Sequence, residues 1–572
     1  MKHFNSPWLL LLLLVATSAM AQNDGSNIGP ARITGVGRFM TDIEIRVDSN
    51  FVTGELDTTI IDNSRIVWEA DGVDLKHIEN NSFFREGEQI TTEEINTGDE
   101  QVDSLITHVR SRMRKVGDWV YRSGCLHDVV FTDFYYSVFT FEYPSIDANG
   151  TPIMLSAIAA APQENATSRV NNVVLGTHIT ITADYQRPSA RHGKWEKDDW
   201  GMLFSLAAGN KLKYTGWIYL VRYVATFVTE GFFGTAYSVV QDLLNDYSKA
   251  DCNNNLVIMP DYEGYGLTKD RPHPYLYQEL TARQSVDALV AGKKLYETAP
   301  ELEPYRLPIR NNYRTVICGY SQGGSVAMAS HRFIEKNGLS KQLHLSGSIC
   351  GDGPYDPMAT LMYYVEQAEE GKNMTMPCVL PLIMKGMLDT NPYMKTHKAS
   401  DYFTEGFLNT GVLDMIASKE YTTDQLNAAT GNFKNMKSIM SPACYDYFLG
   451  LYNDYKNVVT SAAGIPLPSQ RGVYEDLHFA LAGNDMTRGW QPKHKLRMFH
   501  SQTDTVVPYV NILSAWSNFS SMISFYTFTN GQDHVDSGTA FFGQPENYQV
   551  VLFNGLGICD NMNKVAGWSY DE

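Results

Sequence analysis

One short segment restricts the possible fold of this chain more than any other. The apolar run TVIC at 315–318 leads into GYSQG at 319–323, and a stretch of small residues suited to a closely packed helix follows. This is a G-x-S-x-G sequence between a predicted strand and a predicted helix. The backbone of such a sharp turn is strained, and side chains two positions away would collide. Gly319 and Gly323 are therefore predicted to form a nucleophile elbow that exposes the Ser321 hydroxyl.

The chain also contains residues that could activate this serine. A serine hydroxyl is a good nucleophile only when a base removes its proton and an acid holds that base in one tautomer. Asp504 follows the apolar run at 496–499, and His534 follows the run at 522–528, so both are predicted on loops after strands. The chain order Ser, Asp, His is that of the α/β-hydrolases. We therefore expect Ser321, Asp504 and His534 to be the catalytic residues.

Other acidic residues and histidines compete for these roles. Asp352 and Asp356 follow the apolar run at 343–350, and either could serve as the acid in place of Asp504. His500 ends its apolar run and is interpreted as a structural histidine. His273 lies in the sequence RPHP and is predicted on a loop or pocket wall.

An oxyanion formed at this site needs two N–H donors that are in place before the charge develops. The N–H of Gln322 follows the serine and faces the same pocket. The second donor is expected from the loop GTHIT at 176–180, and we assign it to Ile179. Tyr320, Tyr262 and His178 are predicted to contact the substrate.

The remaining pattern predicts an α/β protein. From about residue 128, strands alternate with helices, and short apolar runs at 173–175, 256–259 and 315–318 are typical of buried parallel strands. The turn sequence DANG at 147–150 predicts an antiparallel hairpin. The predicted fold class is an α/β-hydrolase fold, a mostly parallel sheet with helices on both faces, a large helical cap insertion and an N-terminal β-rich module.

Composition shifts divide the chain into five predicted segments. The N-terminal module contains strand-like runs, an acidic linker at about 80–100 and an amphipathic helix at 102–120. The segments are a signal peptide at 1–21, the N-terminal module at 22–122, the first part of the hydrolase core at 123–356, a cap or lid insertion at 357–490, and the second part of the core at 491–572.

Charge and the first residues limit the partners and the compartment. Of 572 residues, 46 are Lys or Arg and 64 are Asp or Glu, so the net charge is −18, which disfavours nucleic acid as a partner.

Lys2, an apolar run at 8–16 and the sequence AMA at 19–21 form a secretory signal, which predicts a secreted or periplasmic protein. The apolar run is about half of the roughly 20 residues that a membrane span needs, so we expect no stable membrane span.

The sequence contains no motif for a metal or a cofactor. HExxH, CxxC and the phosphate-binding GxxxxGK[ST] are all absent, so we expect neither metal chemistry nor a cofactor. The seven cysteines are widely spaced. Cys318 and Cys350 are predicted to be buried thiols, and Cys378 with Cys444 is a candidate disulfide.

Four segments together resemble a known group of enzymes. PDYEGYG at 260–266, HPYL at 273–276, GYSQGG at 319–324 and GDGP at 351–354 are similar to the α/β-hydrolase branch that contains the secretory lipases. The resemblance spans about 125–356 and 495–540. It implies that Ser321, Asp504 and His534 form the triad, and that 357–490 is a lid over an acyl pocket.

Two segments depart from that resemblance. The first 100 residues have no counterpart, and the connection from 180 to 254 is unusually long, with an aromatic stretch at 217–227. That stretch is interpreted as a helix packed between core and cap, or alternatively as a second wall of a lipophilic pocket.

The leading hypothesis is a secreted serine hydrolase that cleaves small-molecule or lipid-like carboxylic esters. A serine peptidase with the same triad is an alternative. A third possibility is a binding protein that has lost catalysis on the same fold.

Overall fold

The computed structural model describes ten segments of the chain. They are 28–49, 56–62, 65–69, 82–83, 129–162, 169–190, 255–456, 465–519, 523–528 and 533–542. The predicted signal peptide, the amphipathic helix at 102–120 and the aromatic stretch at 217–227 lie outside the described residues.

Within these segments, twelve strands form one sheet. The strands are β1 (Arg32–Ser49), β2 (Leu56–Asp62), β3 (Arg65–Trp68), β4 (Ser82–Phe83), β5 (Val129–Ile146), β6 (Pro152–Pro162), β7 (Val170–Thr177), β8 (Asn255–Pro260), β9 (Ile309–Tyr320), β10 (Leu345–Gly351), β11 (Lys495–Ser501) and β12 (Ile523–Phe528). Their order is β12-β11-β10-β9-β7-β8-β6-β5-β1-β2, with β3 paired to β1 and β4 to β5.

The sheet is mixed, and its parallel half contains the elbow. Each pair of adjacent strands from β12 to β8 is parallel, as the unbroken apolar runs predict. From β8 to β2 the pairing is antiparallel. The predicted N-terminal strands are present, and they extend the same sheet because β1 pairs with β5 from Arg32↔Glu142 to Ile45↔Val129.

The predicted hairpin connects β5 to β6. One carboxylate oxygen of Asp147 accepts the backbone N–H groups of Asn149 and Thr151 at 2.8 and 2.9 Å, and Gly150 has a φ of 79°. The other oxygen accepts a hydrogen bond from Arg271 at 2.6 Å. The turn is therefore closed by its own side chain and tied to the loop after β8.

Helices lie in the connections between the parallel strands, and one follows β12. They are α1 (Gln278–Thr298), α2 (Gln322–Lys336), α3 (Pro357–Glu369), α4 (Val379–Thr390), α5 (Ala399–Tyr402), α6 (Glu405–Leu408), α7 (Val412–Ser418), α8 (Thr423–Ala429), α9 (Met436–Ile439), α10 (Pro442–Tyr455), α11 (Val473–Gly483), α12 (Val510–Asn518) and α13 (His534–Phe542). No helix in the described part of the chain combines the length and apolar character needed to cross a membrane.

The helices between β10 and β11 have an apolar core of their own. Met, Leu and aromatic side chains of α3, α4, α10 and α11 form one buried cluster, separate from the cluster that the sheet shares with α1 and α2. The segment is therefore helical, as predicted for 357–490. Cys378 and Cys444 are buried there as free thiols, so the disulfide hypothesis for this pair is wrong, whereas Cys318 and Cys350 are buried thiols as predicted.

Close packing of α1 on the sheet supplies a test of the core. A Cβ added at Gly292 would lie 2.7 Å from Cζ of Phe141 and 3.1 Å from Cδ1 of Ile258. We expect Gly292→Ala to lower the free energy of unfolding by about 1–3 kcal/mol through overpacking. Gly450→Ala, in an open part of α10, is the matched control and should gain up to about 1 kcal/mol of helix propensity. Denaturant unfolding of both variants checks this, and equal effects would contradict it.

Candidate active site

The elbow adopts the geometry that the sequence predicts. Ser321 lies between β9 and α2 with φ 57° and ψ −126°, a strained conformation for a residue with a side chain. A Cβ at Gly319 would overlap the hydroxyl oxygen of Thr177, and a Cβ at Gly323 would overlap the carbonyl oxygen of Thr177. Glycine is therefore required on both sides because the end of β7 packs directly against the turn.

Three predicted site residues meet at this elbow through hydrogen bonds. Nε2 of His534 lies 2.8 Å from Oγ of Ser321, and Nδ1 lies 2.5 Å from Oδ2 of Asp504. All three side chains are buried. The second oxygen of Asp504 accepts the N–H groups of Val506 and Val507 at 2.8 and 2.9 Å, which fixes the carboxylate in place.

The groups around His534 favour the charged form of its imidazole. Burial alone would lower the pKa of His534, but the charge of Asp504 and its hydrogen bond outweigh burial and raise the pKa above the ordinary 6.5. Burial would raise the pKa of Asp504, and the charge of His534 reverses this, so that the pKa of Asp504 is lowered. An ionised Asp504 beside His534 can therefore stabilise a positive charge on the imidazole.

The competing acids lie elsewhere around the site. Asp352 follows β10 and is buried, and its carboxylate lies 2.8 Å from the Tyr320 hydroxyl and 2.5 Å from Oγ of Ser537. Asp356 caps α3 by accepting the N–H of Ala359 at 3.0 Å. Neither carboxylate has the hydrogen bond to His534 that Asp504 makes.

His500 is buried beneath the loop that carries Asp504. Its Nε2 lies 2.8 Å from the carbonyl oxygen of Val507, in the same loop that donates N–H groups to Asp504. Its contacts are those of a structural histidine that holds this loop.

The loop after β7 packs against the first turn of α2. The carbonyl oxygen of His178 is 2.7 Å from the position of a Cβ at Gly323, so this loop touches the first turn of α2. The N–H of Gln322 has no acceptor within the helix because it begins the first turn. The next residue of the loop, Ile179, is half-buried beside this contact.

The residues predicted to contact substrate hold the loops of the site together. His178 stacks on Tyr262 with 3.9 Å between ring centroids, and its Nδ1 lies 2.6 Å from the carbonyl oxygen of Ile179. Burial lowers the pKa of His178 to about 4, so the ring is neutral. The Tyr320 hydroxyl lies 2.7 Å from the carbonyl oxygen of His534, behind the catalytic candidates.

Two hydrogen-bond contacts near the elbow are not predicted by any pattern in the sequence. Nδ1 of His273 lies 2.7 Å from the carbonyl oxygen of Glu263, so Nε2 is the acceptor for the Gln322 amide at 2.9 Å. Burial lowers the pKa of His273 to about 3, which keeps the ring neutral. The second contact is a bond of 2.6 Å between the Tyr320 and Ser537 hydroxyls. Both pairs join distant parts of the chain, so no local spacing could reveal them.

His273 also lines a cavity of about 270 Å³ between the loop after β8 and the helical segment. Tyr265, Tyr275 and Leu382 supply apolar wall, and Lys385 with Asp389 supplies charge. His273 therefore stands between this cavity and Gln322, as its predicted place on a pocket wall requires.

Comparison with solved structures finds similar chains. The rice cell wall degrading esterase LipA from Xanthomonas oryzae is similar over 74% of this chain and 92% of that chain, with 20% sequence identity and a TM-score of 0.50. A mutant of LipA gives the same values. Candida antarctica lipase A in its closed state is similar over 76% of this chain and 85% of that chain, at 13% identity and a TM-score of 0.43. The LipA similarity shows that the fold is the α/β-hydrolase fold. No protein-family model and no curated protein sequence matches the chain.

Tyr320 offers a test that separates positioning from substrate contact. Its hydroxyl supports the backbone of His534, so we expect Tyr320→Phe to lower kcat by up to about 10²-fold through misplacement of the base, with KM unchanged. Tyr143→Phe is the matched control, because the buried Tyr143 hydroxyl has no hydrogen-bond partner among the described residues. Steady-state ester hydrolysis gives both constants. A raised KM with normal kcat would instead place Tyr320 against the substrate.

Proposed function

We propose that this chain is an exported serine hydrolase that cleaves carboxylic esters through an acyl-enzyme. The observation that carries the proposal is the continuous set of hydrogen bonds from Ser321 through His534 to Asp504 on a strained elbow. The fold shared with LipA, which is named as an esterase, agrees with this activity. The candidate signal at 1–21 supports export.

The proposed reaction begins with proton transfer within the triad. Nε2 of His534 takes the proton of the Ser321 hydroxyl as Oγ attacks the acyl carbon. Asp504 holds the proton on Nδ1 and stabilises the imidazolium that forms. The imidazolium then donates its Nε2 proton to the leaving alcohol, and an acyl-serine remains. A water molecule, deprotonated by the same nitrogen, releases the acid and restores Ser321.

The negative charge that develops on the acyl oxygen needs fixed donors. We assign these to the N–H groups of Gln322 and Ile179, which flank the contact between Gly323 and the loop after β7. The bond from His273 to the Gln322 side chain supports the first donor because it holds the start of α2 against the loop after β8. Donors that are placed before reaction stabilise the oxyanion without reorganisation.

The helical segment completes the proposed substrate site. We propose that 357–490 is a cap on the hydrolase core, and that its junction with the loop after β8 admits a small-molecule or lipid-like ester. The cavity of about 270 Å³ at this junction has aromatic and charged walls, but neither Ser321 nor His534 lines it and His273 separates it from Gln322, so the acyl group itself must bind on the other side of His273. The proposed reaction uses no cofactor, and the net charge of −18 disfavours nucleic acid.

The nucleophile can be tested directly with a fluorophosphonate probe. We expect the probe to label the wild-type protein, whereas Ser321→Ala should abolish both labelling and hydrolysis of aryl esters. Ser517→Ala, which changes an exposed serine on α12, is the matched control and should be labelled as the wild type is. Persistent labelling of Ser321→Ala would reject the assignment, and faster turnover of aminoacyl amides than of aryl esters would favour a peptidase.

The acid can be identified from the pH profile. Because His534 must be neutral to accept a proton, activity should rise with pH through its pKa, which Asp504 holds above 6.5. Asp504→Asn should lower kcat by about 10⁴-fold and move the acid limb to lower pH. The control is Asp352→Asn, which changes a more distant carboxyl and should shift the limb less. Near-normal kcat in Asp504→Asn with loss in Asp352→Asn would reassign the acid.

A further inference from the structure

A second group of histidine and carboxylate side chains lies at the far end of the nucleophile helix. His331 and Glu335 are one helical turn apart on α2 and face the same side. His494, just before β11, joins them, and the ligand atoms of the three residues lie within 4.8 Å of one another. The side chains of His331 and Glu335 are buried, whereas that of His494 is 32% exposed. Nothing in the proposed ester hydrolysis uses this group.

The contacts at Glu335 are unusually crowded. Oε1 lies 3.1 Å from Nε2 of His331 and 2.7 Å from Nδ1 of His494. The same oxygen lies 2.9 Å from the backbone nitrogens of both Lys493 and His494. A carboxylate oxygen has two lone pairs, so it cannot accept four hydrogen bonds well. The imidazole nitrogens of His331 and His494 thus converge on one carboxylate oxygen, and the three side chains are close enough to hold a cation among them.

We propose that His331, Glu335 and His494 bind a Zn²⁺ ion that fastens α2 to the start of β11. Two imidazoles and one carboxylate are a common zinc ligand set, and imidazole nitrogen favours zinc over magnesium or calcium. The site is structural. About 14 residues of helix at 1.5 Å per residue place it roughly 20 Å from Ser321, too far to touch the reacting ester.

The protonation of His331 suits this role. Its Nδ1 lies 2.8 Å from Oγ of Ser348 on β10, so a proton on Nδ1 can be donated there and the Nε2 lone pair is left for the metal. Ser348 is then the outer partner that orients a metal-binding histidine.

The two nitrogen–oxygen distances are close to those between the ligands of a zinc ion. Zinc with ligands at about 2.0–2.1 Å in a tetrahedron separates its ligand atoms by roughly 3.3 Å. The two nitrogen–oxygen distances are 3.1 and 2.7 Å, and all three ligand atoms lie within 4.8 Å of one another. The exposed side of His494 leaves room for water as the fourth ligand. Oε2 of Glu335 keeps its contact of 3.1 Å with the backbone nitrogen of Lys493.

The test measures zinc on the full chain. Protein is stripped with a chelator and dialysed against Zn²⁺, and metal content, Kd and Tm are then measured. We expect one Zn²⁺ per chain and a higher Tm with the metal than without it. Ser348→Ala should weaken binding by about 10–100-fold, and His494→Gln by at least as much. His344→Gln, an exposed histidine outside the group, is the matched control and should bind as the wild type does.

The variants are chosen to keep the fold intact. His494 is partly exposed, so His494→Gln can be compared with the wild type after circular dichroism establishes equal helix content. Failure of folded wild-type protein to bind Zn²⁺ would overturn the proposal, as would equal affinity in His494→Gln. Ester hydrolysis should be the same with and without zinc, and a zinc-dependent turnover number would contradict the structural role. We expect Ser321→Ala, which should lose ester hydrolysis, to bind Zn²⁺ as the wild type does. Failure of the zinc proposal can therefore be distinguished from failure of the proposed hydrolase function.

Discussion

The whole site depends on how closely the end of β7 approaches the turn that carries Ser321. The hydroxyl of Thr177 lies 3.1 Å from the carbonyl oxygen of Cys318 and 2.7 Å from that of Gly323, on either side of the strained serine. This contact is possible only without side chains at 319 and 323. It holds the left-handed backbone of Ser321 in place and brings the loop after β7 to the start of α2. The surrounding structure thus maintains a conformation that would be unfavourable in isolation.

The parallel strands explain why residues far apart in the chain meet there. Ser321, Asp504 and the loops after β7 and β8 all follow the carboxyl ends of parallel strands, which lie at one edge of the sheet. Asp352 follows the intervening strand, so two carboxylates reach the neighbourhood of one histidine. The 2.5 Å contact with Nδ1 of His534 distinguishes Asp504, whereas Asp352 supports Tyr320 and Ser537 behind the histidine. Asp352 thereby stabilises the first turn of α13, which carries His534.

The same helix connects the proposed chemistry with the proposed zinc site. α2 begins at the elbow and carries Glu335 in its last turn, where backbone and side-chain donors from Lys493 and His494 converge. A fixed far end would limit rotation of the helix, and the bond from His273 limits movement of its first turn. Both ends of α2 are therefore held by contacts that lie outside the Ser321–His534–Asp504 set.

The local features could be predicted because they depend on neighbouring residues. Steric need for glycine identifies the elbow, unbroken apolar runs identify parallel strands, and DANG identifies the hairpin. Contacts between separate strands were decided by register and twist, which no local pattern encodes. That is why the sequence left Asp352 open as the acid, suggested a Cys378–Cys444 disulfide that is not formed, and contained no metal motif for His331 and His494. The sequence by itself determined which residues could do chemistry, and tertiary structure decided which of them touch, because distances across the sheet arise only when the strands pack.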